Sequence, residues 1–355
     1  MTKNSFPVGI KAKKNFWFKI LIPVISMLIP VLAAELALRL LARPPQIWTG
    51  KNQQQLLAEG ERRYPPSEPL FAAFCQDRPV LRHTNIPVLG THLREYPYPQ
   101  VKPPGRYRII GLGDSFAWGW GMADNRRTFF KLLECWLNRK YPARQVEIIN
   151  ASRPAAPAAY YEQFLDSFGW ALDPDRVVIS FNLNDAYVKH ASVTVAAKSA
   201  RHLEQSTGFW TRHSRLVSFV RERLIQTWVR RDFIANIHDA YLGAERTQRW
   251  DRAQANLLAI ARGCRQRGIA LLVVIFPLLV DLERNYPFGA EIDEIARFCK
   301  QNGIDCIDLL PTFLGKKAEL LWTLPTNAHP NEVANRLAAE TIFQAFTRPG
   351  FMVPK

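Results

Sequence analysis

Three short stretches of this chain hold residue types that together can transfer an acyl group. GLGDSFAWGWG, from Gly111 to Gly121, sets Ser115 just past the apolar run RYRII. FNLNDAY sets Asn182, Asn184 and Asp185 just past the run RVVISF. NAHPNE sets His329 immediately before a helical pattern. A serine oxygen attacks a carbonyl when an imidazole takes its proton. An amide side chain such as Asn184, with the Ser115 N–H, can then hold the oxyanion that forms.

Each stretch also has a plain structural reading. Gly-Asp-Ser is a common turn, Asn-Asp is a frequent loop dipeptide, and Pro330 suits the first turn of a helix. A dinucleotide fingerprint starting at Gly111 fails, because Phe116 stands where the third glycine is needed. What favours the chemical reading is the order of the three stretches and their places relative to the surrounding elements. Tyr107–Leu112, Val146–Asn150, Arg176–Phe181, Ile269–Phe276 and Ile304–Leu309 read as strands. Between and after them run helical patterns. Ile292, Ile295, Ala296 and Cys299 share one face, and so do Ala334, Leu337, Ala338, Thr341 and Ala345. Strands alternating with helices predict a parallel sheet covered on both faces. In such a sheet functional groups gather at the carboxyl ends of the strands, so all three stretches can reach one crevice.

The 355-residue chain is 48% apolar, enough for a real core. The net charge of +16 raises nucleic acid or an anionic membrane as partners. The excess is spread, and no basic run with interleaved aromatics reads as a nucleic-acid module. None of the five cysteines has CxxC spacing, so no metal site and no cofactor is expected. Cys135 and Cys299 fall in helical patterns and read as core residues. Lys11, Lys13, Lys14 and Lys19 precede the uncharged run Ile20 to Ala34, within a segment long enough to cross a bilayer. The basic flank predicts an uncleaved anchor in the cytoplasmic membrane, with the remaining chain outside. A cleaved signal peptide is the competing reading. Residues 46–104 are proline-rich, show little periodicity and read as a connecting region. Residues 190–250 interrupt the strand–helix rhythm and read as a helical insertion in a domain of residues 105–348.

The set GDSFAWGWG, NLNDAY and HPNEVANRLAAE resembles the SGNH (GDSL-type) hydrolase superfamily over about residues 105–347. The resemblance implies a flavodoxin-like three-layer α/β/α sandwich with a parallel sheet, here preceded by a transmembrane helix. It implies hydrolysis or transfer of small acyl esters, with Ser115 as nucleophile, His329 as base and Asn184 as an oxyanion donor. Two departures stand out. The family's second block, a stretch like NAGxPG, supplies a glycine N–H to the oxyanion hole. Here it reads NASRPA, so Ala155 takes that place. The family also carries an Asp two or three residues before the histidine, where this chain has Asn327 and Thr326. Either residue is the candidate for orienting His329.

Three functions fit this reading. The first is an anchored esterase that removes small acyl groups, acetyl above all, from a glycan. The second is a polysaccharide O-acetyltransferase using the same Ser–His pair. The third is a non-catalytic glycan-binding or assembly protein on the same scaffold.

Overall fold

The computed structural model describes residues 11–41, 50–81, 86–88, 91–186, 213–324 and 327–351. The chain forms two compact units. One comprises Met1–Ile47 with Ser199–Trp228, the other Trp48–Lys198 with Val229–Lys355.

The larger unit is built on a five-stranded parallel sheet of β1 (Tyr107–Gly113), β2 (Val146–Asn150), β3 (Arg176–Asn182), β4 (Ala270–Phe276) and β5 (Asp305–Asp308). The strand order is β2-β1-β3-β4-β5. This is the flavodoxin-like order, whose switch point lies between the first and third strands. Every residue of β1 and β3 is buried. That explains their near-continuous apolar sequences, since a sheet covered on both faces has no polar side to alternate with. The cover comes from two helix pairs. Helix α4 (Phe129–Lys140) packs on the last helix, α9 (Glu332–Phe346). Helix α5 (Ala158–Phe164) packs on α7 (Trp250–Arg267). Helix α8 (Gly289–Gln301) lies along β4 and β5.

The region read as a connection, residues 46–104, is built into this unit from residue 48 onward. Helix α2 (Gly50–Arg63) contacts α9. Phe71 is buried against Trp136 and Phe343. The Trp136 indole donates to the Ala73 carbonyl, and Cys75 forms a disulfide with Cys135 of α4. Glu95 is buried and accepts the Asn150 N–H at 2.6 Å. The fully buried Arg108 guanidinium donates to Glu147 and to the carbonyls of Pro99, Gln100 and Leu172. Anchoring through side chains needs no hydrophobic period, which is why the sequence showed none. Cys299 is a buried free thiol, whereas Cys135 is both buried and cross-linked.

Of the expected helical insertion, residues 187–212 lie outside the described residues. Helix α6 (Arg215–Tyr241) follows them. By Trp250, fully buried against Phe181 and Tyr241, the chain is again covering the sheet. In the smaller unit, α1 (Lys11–Leu41) holds a stretch from Leu21 to Leu40 with mean hydropathy 2.3, long and apolar enough to cross a membrane.

Candidate active site

Ser115 stands at the end of β1 because the turn there has no room for anything larger than glycine at Gly113. A Cβ on Gly113 would come within 2.6 Å of Ala117 Cβ. The chain can therefore fold directly from β1 into the short helix α3 (Ser115–Trp118). Asp114 caps α3, with Oδ1 accepting the Phe116 N–H at 2.8 Å. Gly119 ends it in the left-handed region at φ 80°. Ser115 is thus the first residue of a helix held at both ends.

Asn184 follows β3, the neighbour of β1. Its Nδ2 donates to Asp114 Oδ2 at 2.7 Å. That uses one of its two amide N–H groups and leaves the other. Asp185 is buried beneath, accepting from the Tyr161 hydroxyl at 2.7 Å and the Asn182 N–H at 2.9 Å. Burial pushes the Asp114 carboxyl up to about 6, and the Asp185 carboxyl also rises well above its usual range. The sequence reading gave Asp114 no part in the site. Its signal was the acidic residue next to the serine, which reads equally well as an ordinary helix cap.

The second block lies beside the same turn. The N–H groups of Ala151 and Arg153 donate to the carbonyls of Gly111 and Gly113, at 2.8 and 3.1 Å. Asn150 Nδ2 donates to the Ala117 carbonyl at 2.8 Å. A turn closed from the Ala156 N–H to the Arg153 carbonyl puts Ala155 at its third position with φ 57°. That conformation suits glycine, the residue the resembled family has there. The alanine keeps the turn at some backbone strain.

His329 comes from outside the main sheet. Strands β6 (Trp322–Leu324) and β7 (Asn327–Pro330) form a separate antiparallel ladder. Asn331 fixes where it ends. Its Oδ1 caps α9 by accepting the Val333 and Ala334 N–H groups, and its Nδ2 donates to the Leu320 and Trp322 carbonyls. The imidazole Nε2 lies 2.8 Å from Ser115 Oγ. Its Nδ1 is in hydrogen-bond contact with Asn327 Oδ1, which also accepts the His329 backbone N–H at 3.2 Å. A backbone N–H only donates, so the amide must turn its oxygen towards the histidine. Nδ1 then carries the proton, and Nε2 is left free to accept the serine's. The rings of Phe116 and Trp120 lie 5.3 and 6.3 Å from the imidazole. Burial lowers its pKa to about 4, so at neutral pH it is uncharged.

The structure therefore brings Ser115, His329, Asn327, Asn184 and Asp114 into one connected set. Thr326 lies outside the described residues. Among the described residues no cluster of His, Cys, Asp and Glu gathers to hold a metal ion.

The model of the GDSL-like lipase/acylhydrolase family matches residues 112–337. The chain belongs to that family. As a GDSL-like acylhydrolase it is an ester-hydrolysing enzyme. No curated protein matches it. Among solved structures it is similar to the acetyl xylan esterase AlAXEase, at 17% identity and a TM-score of 0.43, over 67% of this chain and 98% of that one. A catalytic mutant of the acetylxylan esterase Axe2 from Geobacillus stearothermophilus is 12% identical, with a TM-score of 0.42, over 67% and 93% of the two chains. The psychrotrophic esterase EstA from Pseudoalteromonas sp. is 15% identical, with a TM-score of 0.37, over 68% and 97%. Identities this low carry no substrate across to this GDSL-like enzyme.

Proposed function

We propose that the protein is a membrane-anchored serine esterase, facing away from the cytoplasm, that removes small acyl groups, acetyl above all, from a glycan. The observation that carries the catalytic part is the 2.8 Å contact of Ser115 Oγ with a His329 Nε2 free to accept a proton. Ser115 Oγ attacks the ester carbonyl while Nε2 takes its proton. The carbonyl oxygen gains the charge and is held by the N–H groups of Ser115 and Ala155 and the second Asn184 Nδ2–H. The intermediate collapses, His329 gives the proton to the leaving alkoxide, and an acyl-Ser115 remains. Water then attacks the acyl carbon with His329 again as base, releasing the acid and restoring the serine.

Two further observations support the reading. A disulfide such as Cys75–Cys135 persists in oxidising compartments, as expected for a domain outside the cytoplasm. Trp120 is 45% exposed beside the imidazole, and its backbone N–H donates to the Ser115 carbonyl at 3.0 Å. An open indole beside the imidazole suits stacking on a sugar ring.

The test is covalent labelling of the full chain by a fluorophosphonate probe, in detergent. The expected result is labelling that disappears in Ser115→Ala and at pH values low enough to protonate His329. Absence of labelling in the folded wild-type chain would overturn the catalytic reading. Incubation with an acetylated donor and a free oligosaccharide then separates the outcomes, acetate for the esterase and an acetylated acceptor for the transferase.

A further inference from the structure

The smaller unit contains a carboxylate in an unexpected place. Glu35 lies inside the apolar stretch Leu21–Leu40. A carboxylate in lipid is costly unless its oxygens are satisfied. Here they are. Glu35 accepts the Leu216 N–H at 2.8 Å, the Arg215 N–H at 3.0 Å and the Ser214 hydroxyl at 2.8 Å. It also pairs with Arg39 at 2.7 Å, and Arg39 donates to the His213 carbonyl. Glu35 thus acts from α1 as the cap of α6, placing a negative charge on the positive end of that helix.

This contact fixes a depth. Glu35 stands five residues before Leu40, which is roughly 7.5 Å along a helix. If the apolar stretch spans a bilayer, α6 begins near the boundary between acyl chains and headgroups. The residues that follow suit that place. Val217, Val220 and Leu224 recur on one face at 39, 47 and 66% exposure. Arginines Arg215, Arg221, Arg223, Arg230 and Arg231 are interspersed or follow. An apolar face with an arginine-rich remainder is the pattern of a helix lying in a membrane interface.

We infer that the first half of α6, Arg215–Trp228, lies in the interface of the membrane that α1 crosses, with Val217, Val220 and Leu224 in lipid and Glu35 as the clasp. The inference rests on α1 being an uncleaved span. The occupant of the stripe is lipid, because the clasp brings the helix to the apolar span itself.

The experiment uses the full chain in vesicles of phosphatidylethanolamine and phosphatidylglycerol, doped with a phospholipid carrying a diazirine in its acyl chain. After irradiation, peptides are mapped by mass spectrometry. Labels on Leu21–Leu40 and on the peptide holding Val217, Val220 and Leu224 are expected. In Glu35→Leu the labels on α1 should remain and those on the α6 peptide should be lost. Glu35→Gln, which keeps an acceptor oxygen, should retain most of them. Labels confined to α1 in the wild-type chain would overturn the inference, since the stripe would then be covered by protein. A mature chain lacking residues 21–40 would overturn it by a different route, through loss of the span, and the N-terminal peptide distinguishes the two.

Discussion

Ser115 and Asn184 stand on the ends of adjacent strands deep in a five-stranded sheet, whereas His329 stands on a two-stranded ladder outside it. The two halves are held by different means. The position of Ser115 relative to Asn184 follows from the β1–β3 register, from a glycine that no side chain can replace, and from Asp114, which bonds both sides. His329 is held locally, by Asn327 behind its ring and by Asn331 at the start of α9. The difference teaches where the site can drift. The sheet half admits an alanine for the family's glycine at Ala155 while keeping the turn, and the ladder half carries the departure from the family's acid. Substitutions on each side test this division.

The largest effect is expected at the proposed nucleophile, Ser115. Ser115→Ala should lower turnover of aryl acetates by roughly 10³-fold or more, because the remaining groups have no covalent path to assist. Circular dichroism should be unchanged, since among the described residues the lost hydroxyl bonds only His329 and Asp114. Undiminished turnover would remove Ser115 from the mechanism and dissolve the comparison.

Next is the oxyanion side. Asn184→Ala should lower kcat by about 10²- to 10³-fold with little change in KM, the cost of one donor used only in the transition state. An effect on KM alone would mean that the amide binds substrate rather than the developing charge.

Asp114→Asn probes the sheet half through two readouts. The Asn side chain can still accept the Phe116 N–H but cannot serve Asn184 as a charged acceptor. A fall in kcat of roughly tenfold is expected, about 1.4 kcal/mol. Stability should move the other way. Burial raises the folded-state pKa of Asp114 from 3.8 to about 6. A raised carboxyl pKa gives stability that is present below pH 3.8 and lost as pH rises through 6, because the charge must then be carried in the interior. Urea unfolding of wild type and variant should therefore diverge between pH 4 and pH 7, the variant gaining at most about 3 kcal/mol relative to wild type. Parallel curves would show that Asp114 is ionised without cost.

These tests bear on what could be read from the sequence. Strands β1 to β4 were legible as short apolar runs whose burial leaves no competing period, whereas the edge strand β5, DCID, is only partly buried and was legible from its place after the α8 pattern. Ser115 and Asn184 were legible because a parallel sheet brings the ends of neighbouring strands together, whereas His329, on a separate antiparallel ladder, was legible only through its stretch NAHPNE before the last helix. The second block was legible as a block, but the left-handed Ala155 was not, since nothing in NASRPA marks an alanine as taking a glycine's conformation. The integration of residues 50–104 was hidden for another reason. Glu95, Cys75 and Phe71 meet partners that are 55, 60 and 65 residues away, and such distant pairings leave no local pattern. The clasp at Glu35 was likewise invisible, because a lone carboxylate near the end of an apolar run reads as one that reaches for the headgroups.

The smallest effect, and the most telling about the ladder half, concerns Asn327. Its oxygen already selects the right tautomer of His329, so the roughly 10⁴-fold penalty that a misdirected amide imposes on a trypsin-like triad does not apply here. What the amide lacks is charge. In the proposed mechanism His329 takes the serine proton, and among the described residues no carboxylate contacts the imidazolium that would form, while burial disfavours it further. Asn327→Asp should supply that charge in a half-buried place, where an ion pair is worth on the order of 1 kcal/mol, or about fivefold in kcat. The same charge must raise the pKa of the base, because it favours the protonated ring. The acid limb of kcat/KM, expected near pH 4 in wild type, should therefore move to higher pH in the variant. Gain at neutral pH and loss near pH 5 are two faces of one interaction and must appear together. A gain without the shift would mean that the carboxylate acts on substrate rather than on His329. A shift without the gain would mean that proton transfer to His329 does not limit turnover, and that the amide in this chain costs the enzyme nothing at its working pH.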